Sequence, residues 1–257
     1  MINIKDPGVA FSDKGHVYTT PSGEMYTGVT TILGVRSKDF LLWWSVKEMY
    51  TYMSKNWDIN KQYTEKEKDD LLLLGKKAHT MKSKDALNTG TIVHDWIEKH
   101  IIDPTHPMPD DPVIRSIVEP FVAWEALSGV GWLKTELVVA SHAHQFAGTL
   151  DALAIVDKKL TLLDFKTSSQ MSEEYFLQTA GYQIALEEMG VVPEQRMIIR
   201  IPKDVSPIEA IVVPTPLQFD KETFLHLREV HRWNINIINN FKDKDGKLLC
   251  CQNLKNS

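Results

Sequence analysis

Asp151, Asp164 and Lys166 are the residues of this chain whose types and spacing are best suited to chemistry. They lie in GTLDALAIVDKKLTLLDFK, residues 148–166, which reads as a β-hairpin. Side chains alternate along a strand, so Asp164 and Lys166 share a face while Phe165 points away into apolar packing. With Asp157-Lys158 as a two-residue turn, Val156 faces Lys159. Counting back along both arms then sets Asp151 opposite Asp164, their Cβ atoms about 5 Å apart. Two carboxylates that close repel unless a cation lies between them or one is protonated. A lysine beside them can position a water or steady developing negative charge. Leu162 and Leu163 mark the second arm as buried, and unpaired buried charge costs several kcal/mol, so simple solvation does not account for the set. The outline is that of metal-assisted hydrolysis.

Other residues could join this group. Glu136, in TELVVAS, sits on the preceding strand and can meet the two aspartates in one sheet; three acidic side chains with water suit Mg²⁺ or Mn²⁺. His94, in Gly90-Thr-Ile-Val-His94, lies on an amphipathic helix, and an imidazole ligand would favour Mn²⁺ beside Mg²⁺. Gln178 and Tyr182 are one helical turn apart and project from one face, as hydrogen-bonding and stacking groups able to hold a phosphate or base. Lys76, Lys77, Lys82 and Lys84 make the most basic local stretch and lead into the His94 helix. One phosphate neutralised by each would give single-strand binding a log–log salt slope of about −3. Each group also has a plain structural reading: an edge charge, a structural histidine, an ordinary helix pair, a solvated face. Trp43, Trp44 and Trp96 can supply stacking surfaces or core, and His142 and His144, sharing a strand face without a third ligand, are assigned to the surface.

The elements that must position these residues follow from periodicity. Residues 8–34 read as short strands and turns. Three helical stretches follow between Asp39 and His100, the third being GTIVHDWIEKHI with Ile92, Val93, Trp96 and Ile97 on its apolar face. A helix from Pro112 to Leu127 precedes three strands, LKTELVVA, FAGTLDALAIV and KLTLLDFK. Next comes a helix capped by Ser172 and closed at Gly190, then strands in RMIIRIP and IEAIVVP, and a final helix from about Asp220 to Phe241. This order predicts an α/β fold with a mixed central sheet flanked by helices and an N-terminal helical lobe. The expected division is a lobe over 1–89, a core over 90–245 and a polar tail over 246–257.

Bulk properties narrow the class. The chain has 257 residues, 43% hydrophobic and 25% charged, as expected of a globular protein. No apolar run approaches the roughly 18 residues of a membrane span, and the N-terminus lacks the basic and apolar regions of a signal peptide. A cytoplasmic protein is expected, in the host cell if the chain is of phage origin. A net charge of −5 counts against coating nucleic acid by bulk charge alone. The adjacent Cys250 and Cys251 cannot supply a four-cysteine iron–sulfur cluster.

Five motifs in order, Gly90 to His94, Glu136, Gly148-Thr-Leu-Asp151, Asp164-Phe-Lys166 and Gln178 to Tyr182, resemble the PD-(D/E)XK nuclease superfamily. The likeness is greatest to the RecB-like branch, which includes phage exonucleases and the mitochondrial genome maintenance exonuclease. It covers about residues 90–190. The resemblance implies a restriction-endonuclease-like core and a Mg²⁺- or Mn²⁺-dependent exonuclease without an iron–sulfur cluster. Its substrate would be single-stranded DNA or duplex ends, in replication, recombination or repair, with a single-strand-binding or annealing protein as a further partner. It further implies metal binding by His94, Asp151, Asp164 and the carbonyl of Phe165, a ligand or supporting role for Glu136, water activation by Lys166, and support of site and DNA by Gln178 and Tyr182. Two rivals are a non-catalytic nucleic-acid-binding protein on the same fold and a hydrolase of small phosphorylated substrates. The lack of a G-x-x-x-x-G-K-[ST] loop disfavours an NTPase.

Overall fold

Period-two apolar patterning in the middle of the chain and period-3.6 patterning on either side build a sheet covered by helices on both faces. The computed structural model describes residues 2–12, 14–36, 38–204, 206–214 and 216–241; Cys250, Cys251 and the expected tail lie outside these residues. Three short strands come first, β1 (Ala10–Ser12), β2 (Val17–Thr19) and β3 (Met25–Gly28), followed by helices α1 (Val29–Leu33), α2 (Asp39–Asn56), α3 (Glu65–Ile102) and α4 (Pro112–Ser128). Then come β4 (Gly131–Ser141), β5 (Phe146–Val156), β6 (Lys159–Lys166), α5 (Glu174–Glu188), β7 (Gln195–Arg200), β8 (Glu209–Val212) and α6 (Leu217–Phe241).

All eight strands form one mixed sheet in the order β1-β2-β3-β5-β6-β7-β8, with β4 along the other edge of β5. Strand β5 therefore has β4 on one side, whereas its other side is shared: parallel β3 pairs with Phe146–Ala147, and antiparallel β6 with Ala152–Val156. Between them, Gly148 to Asp151 have no ladder partner on that side. Leu153 and Leu162 pack with Val29, Ala185 and Phe224 beneath α1, α5 and α6. On the opposite face Ala152, Leu163 and Phe165 pack with Val93, Ile97 and Phe121 of α3 and α4. The central strands β5, β6 and β7 are thus buried on both faces.

Several expectations are revised. The second and third predicted helical stretches are one 38-residue helix, α3, opened by a capping box in which Thr64 and Glu67 satisfy each other's backbone donors. Gly90 does not break it, because no proline follows and the glycine serves packing instead: a Cβ there would lie 2.8 Å from Thr167 Oγ1. The expected boundary at 89/90 falls inside this helix. Val29–Leu33 form the short helix α1 rather than a strand or turn, since Gly28 ends β3 and Val29, Ile32 and Leu33 bury one helical face. Helix α5 begins at Glu174, although Ser172 Oγ still accepts the Glu174 N–H at 3.2 Å, and α6 begins three residues earlier than expected. His142 and His144 lie in the β4–β5 turn, not on a strand; His142 instead bonds Tyr26 and the Pro7 carbonyl.

Candidate active site

The β5–β6 turn adopts left-handed backbone at Asp157 (φ 51°) and Lys158 (φ 65°), the pattern of a type I′ turn that suits the twist of paired strands. Register follows from it: Val156 pairs with Lys159, and regular pairing continues to Ala152 with Leu163. The next step in register is Asp151 opposite Asp164. Here the ladder stops, and Asp151 Oδ2 accepts the Phe165 N–H at 2.5 Å. Phe165 itself packs into the apolar cluster beneath α4, while Lys166 returns to the Asp164 side with its Nζ 2.6 Å from Asp164 Oδ2.

The opposing strand is distorted at the same level. The β4–β5 ladder pairs Thr135 with Ala152 and Leu137 with Leu150, passing over Glu136 and Asp151. Glu136 has φ 45°, a left-handed conformation uncommon for a residue with a side chain. The inward alternation of β5 slips here too: Phe146 and Leu150 share the α5 face with Leu153, and Ala152 and Ala154 face the other way. Local strand irregularity of this kind re-aims side chains and concentrates at functional sites. Its result is that Glu136 and Asp151 line one cavity.

Burial dominates the electrostatics. Asp164 is fully buried, and burial, opposed by Lys166 and reinforced by Asp151, raises its pKa to about 6. Burial raises Asp151 as well, against the pull of Lys166 and the Phe165 N–H. Glu136 is pushed up to about 7 by burial and then by the carboxylates of Asp151 and Glu98. Burial works against the Lys166 ammonium, but Asp164 and Asp151 outweigh it and hold the group charged; its Nζ also sits 5.3 Å from the Tyr175 ring centre. His94 is lowered to about 4 by burial and then by Lys166, so its imidazole is neutral at pH 7 and keeps a free lone pair.

Helix α5 braces this floor. Gln178 Nε2 donates to the Tyr182 hydroxyl at 2.8 Å and reaches Asp164 Oδ1 at 3.3 Å. Tyr182 is largely buried, and its ring contributes to the cavity lining beside Gly148 and Asp151. Gly148 makes that close approach possible, because a Cβ there would lie 2.5 Å from Tyr182 Cε1. Trp96 is core, and Trp43 is exposed away from the cavity, whereas Trp44 lines it.

Asp151, Glu136 and His94 open onto a cavity of about 1360 Å³ walled by β1–β2, α2 and α3. Of the four lysines singled out by sequence, Lys82 lines it and is paired with Glu48 at 2.7 Å; Lys76, Lys77 and Lys84 are exposed elsewhere. Lining residues without a sequence signal include Phe11, His16, Lys47 and Lys203. Lys203 reaches the Ala86 carbonyl of α3 at 2.5 Å from the segment after β7. None of these sits in a recognisable motif, and only long-range folding brings them here.

The floor has donors suited to a hard divalent cation. Asp164 Oδ2 is fully buried and, beyond the Lys166 ion pair, receives no hydrogen bond of acceptable geometry. Among the described residues, no three His, Cys, Asp or Glu side chains form a ready-made cage. Two carboxylates completed by water and backbone oxygen remain the arrangement Mg²⁺ commonly takes.

No family model matches the chain, and no curated protein is significantly similar to it. Among solved structures, SSO0001 aligns over 48% of this chain and 61% of its own length, at 14% identity and TM-score 0.30. A protein from Eubacterium rectale named "Putative exonuclease" aligns over 59% of this chain and 68% of its own, at 13% identity and TM-score 0.40. Overlaps of this size assign neither fold nor activity to this chain. No helix among the described residues is long and apolar enough to cross a membrane.

Proposed function

We propose that this protein is a Mg²⁺- or Mn²⁺-dependent deoxyribonuclease of the PD-(D/E)XK, RecB-like kind, removing nucleotides from DNA ends. The observation that carries the reading is the buried Asp164 carboxylate. It lies opposite Asp151, with Lys166 Nζ 2.6 Å away, beside a cavity open to solvent. A fold gains nothing in stability from two crowded buried carboxylates, so the arrangement points to a use.

In this reading Asp151 and Asp164, with the Phe165 carbonyl and the neutral His94 imidazole, hold the metal, which when bound polarises the phosphoryl group and acidifies water. Lys166 places fixed positive charge where the phosphoryl oxygens gain negative charge. The Glu136 carboxylate, titrating near 7, accepts the proton of the attacking water. Gln178 and Tyr182 hold Asp164 in place through the 3.3 Å and 2.8 Å contacts.

The test is digestion of 5′- and 3′-labelled single-strand, duplex and circular DNA by the purified chain. EDTA is expected to silence it, and Mg²⁺ or Mn²⁺ to restore it. Asp164→Asn is expected to abolish cleavage while the near-UV circular dichroism stays unchanged. Wild-type turnover by that variant defeats the proposal; DNA binding without cleavage under any metal leaves the non-catalytic rival standing.

A further inference from the structure

We infer that Phe11 and His16, on the β1–β2 hairpin, form a base-stacking wall that restricts the carboxylate site to unpaired DNA. This rests on the nuclease reading above and narrows its substrate. The cavity of about 1360 Å³ exceeds the roughly 300–1,000 Å³ typical of small-molecule pockets, so it suits several units of a polymer. Its walls differ in chemistry. On one stretch, the Phe11 ring lies 5.0 Å from His16 and 4.9 Å from Tyr18, centre to centre. Tyr18 is buried, and its hydroxyl meets Thr149 Oγ1 at 3.1 Å, two residues from Asp151, so the aromatic cluster is tied to the strand that carries the site. Phe11 is only half-buried and His16 is exposed, which leaves ring surface at the cavity wall. His16 also holds left-handed backbone, φ 52°, at the turn.

A second stretch of wall is cationic. Lys47, Lys82 and Lys203 line it; Lys82 is paired with Glu48, Lys203 bonds the Ala86 carbonyl, and Lys47 forms no ion pair among the described residues. Aromatic rings beside ammonium groups are the two components of a single-strand track: rings stack on bases, and cations follow phosphates. Bases inside a duplex are already covered above and below by their neighbours, so away from its ends a wall ring can reach a base face only on an unpaired strand. The aromatic wall would be wasted on a duplex.

The experiment is fluorescence anisotropy with the full chain in EDTA, on an Asp164→Asn background that removes one floor charge. Three probes share one sequence frame: a single strand, the same strand annealed, and the same backbone with abasic units. The single strand is expected to bind at least tenfold tighter than the duplex. Phe11→Leu, which keeps apolar packing, and His16→Asn, which tolerates left-handed backbone, should each weaken single-strand binding about tenfold. Neither should weaken the abasic probe. Equal binding of duplex, or equal losses on the abasic probe, overturns the wall. Cleavage by the native chain with Mn²⁺ is scored separately. Cleavage that ignores strandedness and both substitutions sinks the wall and spares the nuclease; no cleavage with the binding pattern intact does the reverse.

Discussion

One helix, α3, runs through two packing regimes. From Gly90 to Ile102 it presses onto the sheet, burying Gly90, Val93, Trp96, Ile97 and His100. From Glu65 to Thr89 only Gly75 is buried, and the segment leans on α2. His94 belongs to the first half and Lys82 to the second. A side chain whose helix is clamped between apolar neighbours is held to a fraction of an ångström, as chemistry requires. A wall that touches mostly water can yield to a ligand. On the proposed reading, the molecule separates a tightly packed floor for the reaction from a more exposed wall for the ligand.

The largest test of that division is Lys166→Ala. Removing the floor's fixed cation should lower kcat for DNA cleavage by about 10³, the loss typical of deleting one preorganised electrostatic group, with KM little changed. A loss confined to KM would move Lys166 from floor to wall.

Glycine substitutions compare the two regimes directly. In Gly148→Ala the new Cβ would lie 2.5 Å from Tyr182 Cε1 and 3.1 Å from Val29 Cγ2, in a ring held by Gln178. The expected cost is about 1–3 kcal/mol in chemical denaturation. In Gly75→Ala the Cβ would lie 3.0 Å from Met53 Sδ, the flexible tip of an α2 side chain, while helix propensity gains about 1 kcal/mol. Stability should hold or rise. Equal losses at both positions would erase the contrast.

A pH series on metal-free protein reads the floor's strain. Folded Glu136 and Asp164 titrate near 7 and 6, above their ordinary values, so the folded chain binds protons more tightly than the unfolded one. Their contribution is complete below the unfolded pKa values and is lost as pH rises through 6 and 7. His94, lowered to about 4, acts oppositely, costing stability as pH falls below its unfolded value of about 6.5. The melting temperature should therefore rise as pH falls from 8 through 6, less steeply than the two carboxylates alone would give because His94 opposes them. Mn²⁺ at pH 8 should raise it too, and a fall in melting temperature over pH 8 to 6.5 would count against buried carboxylates.

The smallest effect belongs to the outer lysines. Replacing Lys76, Lys77 and Lys84 together by Gln should change single-strand affinity less than Lys82→Gln alone, read by anisotropy across a salt series. The sequence-based slope of about −3 would shrink to match, since these three side chains lie off the cavity.

What could be read in advance was local. The turn at Asp157-Lys158, the register that sets Asp151 against Asp164, and the shared face of Gln178 and Tyr182 all follow from strand and helix periods acting over a few residues. Packing overrides the local signal elsewhere: Gly90 reads as a helix boundary by pattern, yet its close approach to Thr167 keeps it inside α3. Tertiary structure alone decided the left-handed turn at Glu136, the arrival of Lys203 beside α3, and the placing of Phe11 and His16 near Asp151. Those positions lie far apart along the chain, and no periodic pattern encodes a meeting that only the assembled sheet and its two apolar faces enforce.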